Sequence, residues 1–139
     1  MRIVVDANVI FAALIKEGIC AKLLTADCFN FYAPEFVLEE VEKYKSDILK
    51  KTARTQEKFE EIEGVIKMRV QIVPEDQLIA YDKKARKLTK DRKDWDYVAS
   101  ALSLKCGIWS FDKGFTNDKI KVYTTAEIAE LFRLLHTPD

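Results

Sequence analysis

Histidine is nearly missing from this chain: His136 is the only one among 139 residues, and it lies close to the end. A Ser-His or Cys-His hydrolase therefore has no credible base, and no G-x-S-x-G turn is present either. Cysteine is scarce as well, with Cys20, Cys28 and Cys106 and no CxxC pair. A zinc site needs about four N, S or O ligands at close spacing, and this set does not offer them. An odd, scattered set of thiols fits a reduced, cytoplasmic protein better than a disulfide framework. No GxGxxG or P-loop occurs, so a dinucleotide or nucleoside-triphosphate site is unsupported. No apolar run approaches the roughly 20 residues of a membrane span. No signal peptide is expected, because Met1–Asp6 enters a strand-like run that ends in an acid.

Net charge is missing too. Lys plus Arg and Asp plus Glu stand at 23 each, so a polyanion site would have to come from local charge. The best local candidate is the stretch from Lys83 to Lys93, with Lys83, Lys84, Arg86, Lys87, Lys90, Arg92 and Lys93. It is either a phosphate-contacting surface or a solvated helix face. Length predicts one domain over residues 1–139, large enough to bury roughly two-thirds of the surface of its unfolded chain. The hydrophobic share of 48% agrees, and the charged share of 33% is above the usual one of about a quarter.

Strands and helices alternate in the pattern. Ile3–Val5 is a short apolar run, expected as a buried strand. Asn8–Ala26 is helical, with a break at Gly18, and Phe29–Ala33 is a second strand. Pro34 suits the first turn of the next helix, which should run to about Lys50. A charged helix follows over Thr55–Lys67, then a strand over Val70–Val73 closed by Pro74. Glu75–Thr89 is one helix, acidic at its start and basic at its end. Asp94–Lys105 is another, ended by Gly107. Ile108–Phe111 and Lys121–Tyr123 are strands, and Thr124-x-x-Glu127 is a capping box opening the last helix, to about Leu135. The polar stretch Ser46–Glu63 is an exposed helical hairpin. This order predicts an α/β fold with a mostly parallel sheet and helices on both faces.

In a parallel open sheet, ligands bind beyond the carboxyl ends of the strands. Asp6 follows Ile3-Val4-Val5, and Asp112 follows Ile108-Trp109-Ser110-Phe111. Either one is also ordinary turn chemistry. Helical periodicity adds two acids. In 34–50 the apolar stripe is Val37, Val41, Tyr44 and Ile48, and Glu40 sits roughly 60° from its centre while Glu39 and Glu42 face solvent. In 94–105 Asp94 lies one turn ahead of Val98 on the apolar face, and Asp96 points roughly opposite. Asp94 also suits a plain N-cap. Four converging carboxylates would repel one another, and a hard divalent cation, Mg²⁺ or Mn²⁺, removes that conflict. Such a site can activate water and stabilise the oxygens of a phosphodiester. Asn8 and Ser110, each two residues from an acid, could orient the carboxylates.

The chain resembles the PIN-domain nucleases, most closely the VapC-type toxins of prokaryotic toxin–antitoxin pairs. The resemblance rests on Ile3-Val4-Val5-Asp6-Ala7-Asn8, on Pro34 through Glu40-Val41, on Asp94 eight residues ahead of Leu102, and on Ile108-Trp109-Ser110-Phe111-Asp112-Lys113-Gly114-Phe115. It implies a three-layer α/β/α fold and Mg²⁺- or Mn²⁺-dependent cleavage of RNA. It makes Asp6, Glu40, Asp94 and Asp112 metal ligands, with Asn8 and Ser110 as supporting polar groups. It also implies a homodimer and a small antitoxin partner. The residues Asp91, Asp96 and Asp118 lie near the motif positions and could take their place.

Two other readings compete with the ribonuclease. The fold could serve as a catalytically silent RNA-binding or protein-interaction module, although the acidic set is complete. Phosphatase chemistry is disfavoured because position 8 is Asn where an Asp-x-Asp start would need Asp. Phe11, Leu14, Ile15, Leu23 and Leu24 are either core or part of a dimer face. Trp95, Tyr97 and Trp109 are ordinary core aromatics or base-stacking platforms.

Overall fold

The computed structural model describes residues 1–112 and 119–136. The motif residues Lys113, Gly114 and Phe115, and Asp118, lie outside these. Five strands form one all-parallel sheet in the order β3-β2-β1-β4-β5. They are β1 (Arg2–Val5), β2 (Asn30–Pro34), β3 (Val70–Val73), β4 (Gly107–Trp109) and β5 (Val122–Tyr123). Strand β1 is central, and Ile3, Val4 and Val5 are all fully buried. A strand covered on both faces has no polar side to alternate with, which explains the unbroken apolar run.

One group of helices comprises α1 (Ala7–Ile15), α2 (Ile19–Leu24), α3 (Phe36–Lys51), α4 (Gln56–Arg69) and the last helix, which contacts α2. The other comprises α5 (Glu75–Leu78), α6 (Asp82–Leu88) and α7 (Trp95–Leu104), with α7 lying against β1 and β2. The last helix, α8 (Thr125–His136), opens with the expected capping box. The Thr124 N–H donates to Glu127 Oε1 at 3.0 Å and the Glu127 N–H to Thr124 Oγ1 at 3.1 Å. Among the described residues no helix is long and apolar enough to cross a membrane.

Four local expectations are corrected. Pro34 does not open a helix. It ends β2, paired with Val73, beyond the last β1–β2 register pair at Tyr32, so its missing N–H removes no rung on the β1 side. The 75–89 helix is split by a 3₁₀ turn at Ile79–Tyr81, where Tyr81 adopts φ −108° and ψ 0°. Gly107 does not cap α7. That role falls to Lys105, in the left-handed region at φ 54°. Gly107 begins β4 instead, where a Cβ would lie 2.5 Å from the Tyr123 ring and 2.6 Å from the Lys121 carbonyl oxygen. The 46–63 stretch is the turn of an α3–α4 hairpin but is not simply exposed. Phe59 is fully buried, and Glu63 is buried with Lys45 Nζ at 3.0 Å. Lys67 and Glu42 clasp the same pair of helices at 2.8 Å.

Candidate active site

Asp6 stands where β1 becomes α1. Its N–H donates to the Trp109 carbonyl at 3.0 Å, which carries the β1–β4 ladder one step past the strands. Its carboxylate caps α1, with Oδ1 accepting from the Asn8 N–H at 3.2 Å. Its other oxygen, Oδ2, accepts from Ser110 Oγ at 2.7 Å. Ser110 Oγ in turn accepts from the Asp112 N–H at 2.9 Å. One hydroxyl thus ties Asp6 to the backbone that presents Asp112, across 104 residues of sequence. Asn8 lines the site as expected, but it is the backbone amide that supports Asp6.

Tyr97 contributes a contact that periodicity does not reveal. Its hydroxyl accepts from the Ala7 N–H at 3.1 Å and hydrogen-bonds the Asp6 carboxylate. Burial, and then the charge of Asp6, push the phenol well above its ordinary range, so it stays a neutral donor. Phe36 packs edge-on against it with ring centroids 5.4 Å apart, joining α3 to α7.

Asp94 ends a 3₁₀ turn, Arg92–Asp94, and precedes α7. Among the described residues its side chain makes no capping bond to that helix, so the plain N-cap alternative does not apply. It is only 7% exposed, like Asp6. Burial pushes its carboxyl up to about 6, helped by the charges of Asp91, Asp112 and Asp6, while Thr89 draws it the other way. Glu40 is half-buried on α3, whereas Glu39 and Glu42 are exposed, as the helical period requires.

Asp6, Asn8, Glu40, Asp94 and Asp112 all line one cleft of about 1030 Å³. Ser110 supports it from behind through Asp6. Asp91 and Asp96 border the same cleft. Asp91 accepts the Lys93 N–H at 3.0 Å. Asp96 is half-buried rather than turned away, and burial raises its carboxyl, with Asp82 adding to the shift.

The donors are carboxylate oxygens, the kind a hard divalent cation takes. Burial raises the Asp94 carboxyl first, and the charges of Asp91, Asp112 and Asp6 add an electrostatic conflict that such a cation relieves. The donor chemistry therefore fits a hard divalent cation. The geometry is open: among the described residues no group of three or more His, Cys, Asp or Glu is gathered closely enough to hold a metal.

Of the basic stretch, Arg92 and Lys93 reach the cleft, joined there by Lys51 from α3. Arg86 does not. It pairs with Asp82 at 3.1 Å and lies over the Trp95 ring at 4.4 Å. Trp109 is fully buried, with its indole N–H on Thr125 Oγ1 at 3.0 Å, and Tyr97 is buried too. Neither can stack a base. Leu14, Leu23 and Leu24 are core, while Phe11 and Ile15 line the cleft, so these five residues do not form an outward face.

A family model described as PIN domain matches residues 4–133, nearly the whole chain. No curated protein matches the chain significantly.

Proposed function

This chain belongs to the PIN-domain family, and from that premise we propose that it is a divalent-metal-dependent endoribonuclease, of the kind that serves as the toxin of a toxin–antitoxin pair. One observation carries the reading. Asp6, Glu40, Asp94 and Asp112, from four separate parts of the chain, line one cleft beyond the carboxyl ends of the parallel strands, and Asp94 is buried there within reach of the charges of Asp112 and Asp6.

Asp6, Glu40, Asp94 and Asp112 would hold the cation. When bound, Mg²⁺ or Mn²⁺ would supply Lewis-acid stabilisation of the phosphodiester and a nucleophile at neutral pH. Ser110 Oγ, Tyr97 Oη and the Asn8 N–H fix the rotamer of Asp6 before substrate arrives, a preorganisation that costs nothing at the moment of reaction. Asp94, drawn toward its neutral form, sits where a cation would return it to the carboxylate. Arg92, Lys93 and Lys51 on the cleft attract the RNA backbone, which compensates locally for the balanced net charge. A small antitoxin and a homodimer belong to this proposal as partners.

Cleavage of a mixed single-stranded RNA by wild type, Asp6→Asn and Asp94→Asn, in Mn²⁺ and in EDTA, tests it. The expected result is cutting in Mn²⁺ alone, reduced at least about 100-fold in each variant. Equal cutting by both variants would remove the mechanism. Lys51, Arg92 and Lys93 on the cleft would also serve a second reading, a silent RNA-binding module. RNA binding insensitive to EDTA, without cleavage, would select it.

A further inference from the structure

Helical periodicity places Tyr44 in the apolar stripe of α3, but the structure does not bury it. Its side chain is 41% exposed and lines the cleft. Phe11 of α1 braces it edge-on, with ring centroids 6.0 Å apart at 86°. Lys43 Nζ lies 5.3 Å from the same ring. Phe36, Glu40, Tyr44, Ile48 and Lys51 recur along α3 at three- and four-residue steps and all line the cleft. One face of a single helix therefore leads away from the acids for about 16 Å between Glu40 and Lys51. It offers first a carboxylate, then an aromatic ring, then an ammonium.

We infer that this arm is a nucleotide subsite, in which Tyr44 stacks one base of a single-stranded RNA while Lys51 holds a phosphate farther along the strand. The inference rests on the ribonuclease reading for its ligand class. The chemistry of the arm supports it independently. An aromatic side chain left two-fifths open beside a basic one, in a groove continuous with a phosphodiester site, is the combination that grips single strands. A rigid brace such as Phe11 keeps the ring from folding away when no base is present. Asp47 borders the cleft between Tyr44 and Lys51. It presents acceptor oxygens to a base edge or a ribose hydroxyl.

The test uses a short mixed-sequence RNA with 2-aminopurine placed in turn at each nucleotide, bound in Ca²⁺ and checked afterward for intactness. In wild type, fluorescence at one or two positions near the cut should be quenched by stacking. Tyr44→Phe and Tyr44→Trp should keep the quench. Tyr44→Ala should lose it, and Lys51→Gln should weaken binding while keeping the quench position. Under Mn²⁺, Tyr44→Ala should raise KM at least about 5-fold with kcat retained. Wild-type quenching and KM in Tyr44→Ala, with cleavage intact, would overturn the subsite and leave the nuclease standing. Position-specific quenching lost in Tyr44→Ala, with no cleavage by wild type, would support the subsite and overturn the nuclease.

Discussion

Asp94→Asn should make the metal-free protein more stable while destroying its activity. In the folded chain the Asp94 carboxyl is raised from 3.8 to about 6, chiefly by burial and then by Asp91, Asp112 and Asp6. The shift of roughly two units corresponds at full value to about 3 kcal/mol, at 1.36 kcal/mol per unit. The cleft is open to water, and screening brings the usable figure to about 1–2 kcal/mol. The sign follows from proton binding. Between pH 3.8 and about 6 the folded state holds this proton more tightly than the unfolded state does, so stability falls as pH rises through that window. Above it the ionised form carries the whole penalty. Asparagine never ionises, and it can still accept a hydrogen bond from Thr89. The difference in Tm between variant and wild type, in EDTA, should be near zero at pH 4. It should grow between pH 4 and 6 and level off at roughly 3–8 °C by pH 8. Arg92 and Lys93 border the same cleft. Saturating Mn²⁺ should reverse the order, because wild type gains stability from binding and the variant does not. Scanning fluorimetry over pH, with and without Mn²⁺, reads all of this. A variant less stable than wild type at pH 8 in EDTA, or a gain that ignores pH, would refute the electrostatic reasoning.

Ser110→Ala removes the hydroxyl that joins Asp6 to the Asp112 backbone, and Mn²⁺-dependent cleavage should fall about 10–100-fold with the fold retained by circular dichroism. Tyr97→Phe removes one donor from Asp6 and leaves the Ala7 N–H without its acceptor. Activity should drop similarly, with a further stability loss of about 1–3 kcal/mol read by urea titration. Gly107→Ala drives a methyl into Tyr123 and the Lys121 carbonyl, so a loss of about 1–3 kcal/mol is expected in the same titration. Lys45→Met leaves the buried Glu63 without its close partner and should destabilise the hairpin without changing kcat.

Elements whose signal is local were legible in the sequence. The β1 run, the Pro74 stop after β3 and the capping box at Thr124 each depend on neighbours within a few residues. Glu40 was separable from Glu39 and Glu42 because α3 is long enough for its period to fix a face. The same period put Tyr44 in the core, since it cannot tell a packed interface from the wall of a cleft. Tyr97 looked like a core aromatic, and by burial it is one. Its role comes from its hydroxyl meeting Ala7, 90 residues earlier, which no window on the sequence contains. Pro34 and Gly107 suit helix ends by their own habits, but strand neighbours decide their places.

The sheet order has a consequence for synthesis. Strand β1 is made first, yet one of its two neighbours, β4, begins only at Gly107. At about 5–20 residues per second, the roughly 75 residues from the end of β2 to the end of β4 leave the heart of the sheet paired on one side only for on the order of 4–15 s. During that interval Asp6 has neither the Ser110 hydroxyl nor the Trp109 carbonyl. A ribosome halted anywhere before that strand would hold a chain with an open, apolar edge and no assembled centre. The order of elements thus delays assembly of the acidic cleft until β4 has been translated.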